Sequence, residues 1–241
     1  MTNFICKLFL LLIITSCTYQ EHQKKSLFNG ETFEGWEGNN GVFRIENGAI
    51  IGGSLDKPLK KTHYLNTAKK YANFKLNLKV KIIDQDSSAN AGISFRASRI
   101  PNSPHVAAYQ ADLGYGRAKG MFNFSGEKVK PKNMNQRYPL WGTLVDECRE
   151  DHFRYPKPKL FPIIFLDVPE RELVENTINY GGWNDIEVMA NGGEIRIRLN
   201  GVETANFIET ADVAKEGYIC LQAHHGAPFE VHYKDILITE L

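Results

Sequence analysis

The stretch Gly217–His225, Gly-Tyr-Ile-Cys-Leu-Gln-Ala-His-His, alternates residue by residue. Side chains in a strand have period two, so Tyr218, Cys220, Gln222 and His224 share one face, and Ile219, Leu221 and Ala223 share the other. The polar face of a half-buried strand commonly meets water and carries charges or Thr. Here it carries Gln and His, which bind strongly and can be held still. Two earlier stretches have the same habit: Ser94 and Arg96 alternate with Ile93 and Phe95, and Gln110 and Asp112 alternate with Tyr109 and Ala111. If the three strands lie in one sheet, Arg96, Gln110, Asp112, Gln222 and His224 share a face, and that face is a candidate site.

Working outward, the clearest strand lies in Tyr71–Ile83. Phe74, Leu76, Leu78, Val80 and Ile82 alternate with Lys75, Asn77, Lys79 and Lys81, giving one core face and one solvated face. Val42–Ile45 and Ala49–Gly52 flank Glu46-Asn47-Gly48, a strong hairpin signal. Further strands are expected at Ala91–Arg96, Val106–Asp112, Met121–Phe124, Trp141–Asp146, Trp183–Met189, Glu194–Leu199 and Pro228–Thr239. The last changes parity between Tyr233 and Ile236, which predicts a bulge near Lys234-Asp235. Cys148–Asn179 shows no alternation and suggests a long excursion with one short helix near Pro169–Glu175. Gly114–Gly120 reads as a Gly-rich turn without phosphate-loop spacing, so no nucleotide role follows. Trp36 and Trp183 read as core. The pattern is all-β, most easily met by antiparallel sheets packed face to face.

The 241 residues are 42% hydrophobic and 24% charged, with a formal charge of +1. That is an ordinary globular composition, and it supplies no field that would favour nucleic acid. Residues 1–17 read as an export signal, with Lys7 ahead of a short apolar run, Leu8–Ile14, that is too short to span a bilayer. It ends Ile14-Thr15-Ser16-Cys17, which resembles the lipobox of bacterial lipoproteins and implies a membrane anchor through lipidated Cys17. A plain secretory signal with an incidental Cys is the alternative. Residues 18–26 then read as a polar tether and 27–241 as the folded domain. With Cys6 removed, Cys148 and Cys220 remain, either disulfide-linked or as two thiols.

Several segments, in order along the mature chain, resemble one family, the 3-keto-disaccharide hydrolases. They are Leu27-Phe28-Asn29-Gly30 with Gly35-Trp36, then Phe43 to Ile50, Gly92 to Arg96, and Tyr109 to Gly114. Trp141 to Glu147, Trp183-Asn184-Asp185, Leu199-Asn200-Gly201, Gly217 to His224 and Lys234-Asp235-Ile236 follow. The resemblance implies a concanavalin A-like jelly-roll sandwich. Departures at Val145 and Cys148, and a Pro-rich Arg154–Val168, bear on substrate preference more than on fold.

The Glu-x-Asp-x-x-Glu run that concanavalin-like glucanases often carry is missing, so ordinary two-carboxylate hydrolysis is not expected. A 3-keto sugar needs less. The ketone acidifies the hydrogen on carbon 2, so a base can remove it while the glycosidic oxygen leaves carbon 1, and water then adds back. That requires a base, a group to stabilise the enolate and an acid for the leaving oxygen. The resemblance points to His224, or else Glu147, as base, Arg96 to polarise the ketone, and Asp112 to orient His224 or Arg96. Gln110, Gln222, Tyr109 and Asp146 would hold the substrate, with Trp141 either a sugar platform or core. A divalent cation on Asp112, Glu147 and His224 would also stabilise an enolate, although these ligands are scattered in sequence. An Arg96–Asp112 pair reads equally as a structural bridge. The expected partners are a small carbohydrate and a separate sugar-oxidising dehydrogenase. The rival reading is a non-catalytic carbohydrate-binding module on the same face.

Overall fold

A computed structural model describes residues 23–85, 88–117, 122–123, 137–147 and 163–241. Cys17, Cys148 and the whole proposed export signal lie outside the described residues. In chain order the strands are β1 (Lys24–Ser26), β2 (Trp36–Glu37), β3 (Phe43–Glu46), β4 (Ala49–Ser54), β5 (His63–Thr67), β6 (Phe74–Asp84), β7 (Asn90–Arg99), β8 (Val106–Arg117) and β9 (Phe122–Asn123). Then come β10 (Arg137–Pro139), β11 (Leu144–Glu147), β12 (Ile163–Asp167), the helix α1 (Arg171–Thr177), β13 (Asn184–Asn191), β14 (Glu194–Leu199), β15 (Val202–Ile208), β16 (Tyr218–Ala223) and β17 (Phe229–Glu240).

Two sheets stack face to face. The back sheet runs β15-β14-β13-β6-β17-β4-β3, with β1 against β17, and the front sheet runs β2-β5-β16-β7-β8-β11-β12-β9, with β10 against β8. Their ladders are antiparallel, apart from the short parallel pair β12–β9. This is the all-β sandwich that the alternation predicts. The anticipated apolar face of β6 (Phe74, Leu76, Leu78, Val80, Ile82) meets Ile93, Phe95, Tyr109, Ala111, Leu113, Ile219 and Leu221 in one continuous core. Phe95 stacks on Tyr109 and meets Phe74 edge-on, so aromatic rings bridge the two layers. Tyr233 also crosses the core, donating its hydroxyl to the carbonyl of Gln222 at 2.7 Å.

Several local expectations hold. The parity change in β17 is a register shift between Lys234 and Leu237, with Asp235 at φ +52°. The short helix occurs, slightly later than expected. Others need correction. Lys24–Ser26, read as tether, is a strand paired with Leu237–Thr239. The alternation does not predict strands β5, β12 and β15, and β8 continues through part of the expected Gly-rich turn. Trp183 is half-buried rather than core, with Lys234 and Lys81 over its ring at 4.4 and 5.0 Å. It stands outside the core cluster.

The largest correction concerns Arg96. Simple alternation places it beside Gln110, but β7 carries a bulge between Phe95 and Ser98, and Arg96 takes φ +48°. A bulge inserts one residue and re-aims the side chain. The guanidinium, 3% exposed, instead donates to Ala72 O at 2.9 and 3.1 Å and to Gly192 O at 2.8 Å. Those carbonyls precede β6 and follow β13, so Arg96 ties an end of the front sheet to the back sheet. Gly217 makes the bulge possible, because a Cβ there would lie 2.2 Å from Arg96 C.

Arg96→Ala is therefore expected to lower stability by about 3 kcal/mol, through the carbonyls it orphans and the packing it removes. That corresponds to a fall in Tm of roughly 5–10 °C. A thermal melt checks this, and an unchanged Tm would remove Arg96 from the structural framework.

Candidate functional site

The front sheet's outward face can be read from its register. Gln222 lies opposite Gly92 and Tyr64, Gly92 opposite Asp112, Ser94 opposite Gln110, Gln110 opposite Val145, and Glu147 opposite Ala108. Cross-strand partners share a face, so β5, β16, β7, β8 and β11 together present Tyr64, Gln222, Ser94, Gln110, Asp112 and Glu147 on one surface. Gly92, Ala108 and Cys220 are the small residues among them. Tyr64 packs in one small apolar cluster with Ala97, Val106, Ala108 and Cys220. Cys220 is a free, buried thiol whose pKa is raised by desolvation.

Two hydrogen-bonded relays organise this surface. In the first, Gln222 Nε2 donates to Tyr64 Oη at 2.9 Å, and Tyr64 Oη donates to Glu147 Oε2 at 3.3 Å. In the second, Ser94 Oγ donates to Gln110 Oε1 at 2.7 Å, and Gln110 Nε2 donates to Asp112 Oδ1 at 2.5 Å. The Gln110 side chain lies directly across Gly92, where a Cβ would come within 2.3 Å of Gln110 Cδ. Gly92 is thus the gap through which Gln110 reaches the acid.

Both carboxyls end at one cavity of about 600 Å3, lined also by Asn90, Tyr115, Ile163, His224 and His225. Its volume falls within the roughly 300–1,000 Å3 of small-molecule sites. A depression of about 640 Å3 lies on the back sheet around Lys79, Asp185, Glu187 and Arg198. There the charges sit in exposed ion pairs such as Lys79–Asp185, so the front cavity, with its buried acids, is the candidate site.

Electrostatics sharpen the roles. Asp112 and Glu147 are 5% and 8% exposed. Desolvation pushes the Glu147 pKa up to about 7 against a smaller opposing effect of the Tyr64 hydroxyl. Desolvation raises Asp112 well above the usual carboxylate range, and the negative charge of Glu147 adds to it, while Gln110 opposes. The charge of Glu147 disfavours a second charge on Asp112, so the two acids resist ionising together. Because Oδ1 of Asp112 accepts from Gln110, the proton belongs on Oδ2. Half-buried His224 places Nδ1 2.8 Å from His225 O. A carbonyl only accepts, so Nδ1 carries the proton and Nε2 keeps a lone pair. Desolvation lowers the His224 pKa to about 4 and outweighs that hydrogen bond, with the charges of His225 and His105 adding to the lowering. At neutral pH the ring is neutral.

The structure thus brings Glu147, Asp112 and His224 together at one cavity, with Gln110 and Gln222 buried in the floor beneath. Arg96 is not with them. Tyr109 belongs to the interior, stacked on Phe95 and donating to Glu209 Oε2 at 3.0 Å. Asp146 lies opposite Tyr109 and is buried on that same interior side. Trp141 is core and not a sugar platform. Among the described residues, no three His, Cys, Asp or Glu side chains are grouped to hold a metal ion, so Asp112, Glu147 and His224 do not form the ligand set considered for a divalent cation. Tyr64 and Ser94 join the site. Leu65 between Tyr64 and Asn66 carried a short alternation signal for β5.

Two largely antiparallel sheets stacked face to face make this a concanavalin A-like jelly-roll sandwich. Within that class, residues 23–239 match the 3-keto-alpha-glucoside-1,2-lyase-like domain, and the chain belongs to that family. No curated protein sequence matches significantly. Among solved structures, a "putative glycosyl hydrolase" from Parabacteroides distasonis superposes with TM-score 0.55 at 18% identity, covering 90% of this chain and 94% of that one. Carbohydrate binding module CBM66 from Bacillus subtilis gives TM-score 0.53 at 12% identity, covering 86% and 96%. A Bacillus subtilis protein with a galectin-like fold gives 0.51 at 10%, covering 90% and 94%. At these identities the likeness is one of fold.

The raised Glu147 pKa has a stability consequence. Unfolded, the carboxyl titrates near 4.5; folded, near 7. Between these values the folded state binds the extra proton, so this group's contribution falls as pH rises through the window and stays low above it. Relative to wild type, Glu147→Gln is expected to gain stability from pH 5 to pH 8, by at most about 3 kcal/mol. Paired denaturant titrations across that range measure it, and a pH-independent difference would mean that Glu147 titrates normally.

Proposed function

We propose that this protein cleaves the glycosidic bond of 3-keto-glycosides, including 3-keto-disaccharides, by elimination followed by hydration. One observation carries the reading: two buried carboxyls with raised pKa values face the same cavity, and the charge of Glu147 opposes loss of the proton from Asp112, which assigns the base to Glu147 and the acid to Asp112. That division is what proton abstraction next to a ketone with departure of an alcohol requires. Family membership supports the 3-keto substrate.

In the first step the Glu147 carboxylate takes the proton from carbon 2, whose acidity comes from the neighbouring ketone. The electron pair forms the bond between carbons 1 and 2 as the bond from carbon 1 to the glycosidic oxygen breaks, and Asp112 supplies the proton to that oxygen. Water then adds its oxygen to carbon 1 and a proton returns to carbon 2, so the net change is hydrolysis. Tyr64 and Gln222 orient Glu147, and Ser94 and Gln110 orient Asp112. His224, neutral and with Nε2 free to accept, receives a sugar hydroxyl. Its low pKa makes it a weaker base than Glu147, so the abstraction is assigned to Glu147.

Incubating the protein lacking residues 1–17 with a 3-keto-glucoside and with its unoxidised parent tests the reading. Release of the leaving group from the keto form alone is expected, with kcat/KM rising as pH passes about 7. Binding of both sugars without release would indicate a carbohydrate-binding module instead. Asp112→Asn is expected to lose a hundredfold or more, about the size of one general acid, on an alkyl glycoside. On a nitrophenyl glycoside, whose leaving group needs no proton, it should lose far less. Equal losses on both would remove Asp112 as the acid.

The same proposal includes export and anchoring through Cys17, supported by the apolar run ending in Thr15-Ser16-Cys17. Cys17→Ser is expected to move the protein from the membrane to the soluble fraction; unchanged fractionation would refute the anchor. The ketone must be introduced upstream, by a separate sugar-oxidising dehydrogenase.

A further inference from the structure

The cavity has a second wall that the acid pair does not use. Tyr115 of β8, three residues beyond Asp112, lines it together with Glu147 and His224. The ring of Tyr180 lies nearly parallel to that of Tyr115, with 13° between planes and 6.5 Å between centroids. Tyr180 stands in the connection between α1 and β13 and is 53% exposed.

An exposed ring on a loop is ordinarily free to wander, but this loop is pinned. Buried Asn184 accepts from Asn179 N at 2.7 Å and donates to Asn179 O at 2.9 Å and Gly182 O at 3.1 Å. Asn200 Nδ2 donates to the same Asn184 Oδ1 at 2.9 Å, and Gly182 N donates to Asn179 O at 3.2 Å. Gly181 takes φ +66°, and a Cβ on Gly182 would lie 2.2 Å from Asn179 Nδ2. The backbone on both sides of Tyr180 is therefore held before any ligand arrives. A preset aromatic surface binds a ring face at little further ordering cost.

We propose that Tyr115 and Tyr180 form the subsite for the ring on the leaving side of the scissile bond, whether the second sugar of a disaccharide or an aryl aglycone. The C–H face of a pyranose and the face of an aryl ring share the chemistry that an aromatic side chain recognises. The keto ring then sits between Glu147, Asp112 and His224, and the leaving ring lies outward along the tyrosines. This inference rests on the cleavage reading above and adds the leaving-group preference.

The test uses Tyr180→Ala and Tyr180→Phe against two substrates, a 3-keto-disaccharide and methyl 3-keto-glucoside, which lacks a second ring. Tyr180→Ala is expected to lose about fivefold to tenfold in kcat/KM on the disaccharide, the size of one aromatic contact. It should be unchanged on the methyl glycoside, and Tyr180→Phe should keep both. Equal loss on both substrates, or on neither, overturns the subsite. Calorimetric binding of the same two sugars to Glu147→Gln and to its Tyr180→Ala double variant reads the subsite without turnover. If wild type cleaves neither sugar, the cleavage reading fails. Disaccharide binding weakened by Tyr180→Ala, with methyl glycoside binding intact, would then still support the subsite, and any other binding pattern would overturn it.

Discussion

The interior between the two sheets sets everything above it. Ile93, Phe95, Tyr109, Ala111, Leu113, Ile219 and Leu221 from the front sheet are locked against the apolar side of Phe74–Ile82. Because side chains alternate with period two, placing these in the core leaves Gln222, Ser94, Gln110 and Asp112 no other place than the opposite face. A slip of one residue would bury the polar set against hydrocarbon, so the register of the site is as strongly determined as the core itself. Tyr233 reinforces this from below through the carbonyl of Gln222, immediately under the cavity floor.

On that fixed floor the protein bears the cost of taking two carboxyls out of water. Desolvation of this kind is unfavourable for the ionised form, and a buried carboxyl answers by keeping its proton. Two such groups at one cavity cannot both ionise easily, and the charge of Glu147 adds to the desolvation that raises the Asp112 pKa. The amide and hydroxyl relays do not neutralise either acid. Each engages one oxygen of its acid. This leaves the other oxygen of Asp112 to carry the proton and aims both groups at the cavity.

Much of this was legible in the amino-acid order. The alternation in β6, β14 and β16, the Asn47-Gly48 turn and the bulge at Asp235 all follow from local pattern and backbone chemistry. So does the shared face of Gln110, Asp112, Gln222 and His224. Arg96 was misplaced because one inserted residue reverses parity, and the bulge shows only in the folded ladder, in its shifted register and the positive φ of Arg96. Tyr109, Asp146 and Trp141 sit in motifs beside residues of the front-sheet surface, and proximity in sequence carried no information about which face they take. Tyr64 was missed because β5 is short and follows a lysine-rich, proline-bearing stretch.

By itself, the sequence determined the all-β class, the core face of each long strand and the polar character of one sheet surface. These depend on the period of the chain, which is written locally. Tertiary structure alone decided that Glu147 from β11 meets Tyr64 from β5, that Asp112 shares a cavity with Glu147, and that Arg96 serves as a staple between sheets. It also decided that both acids are desolvated and their pKa values raised. The physical reason is that desolvation and through-space charge depend on which strands become neighbours, and strand order is a property of the folded sheet rather than of any segment within it.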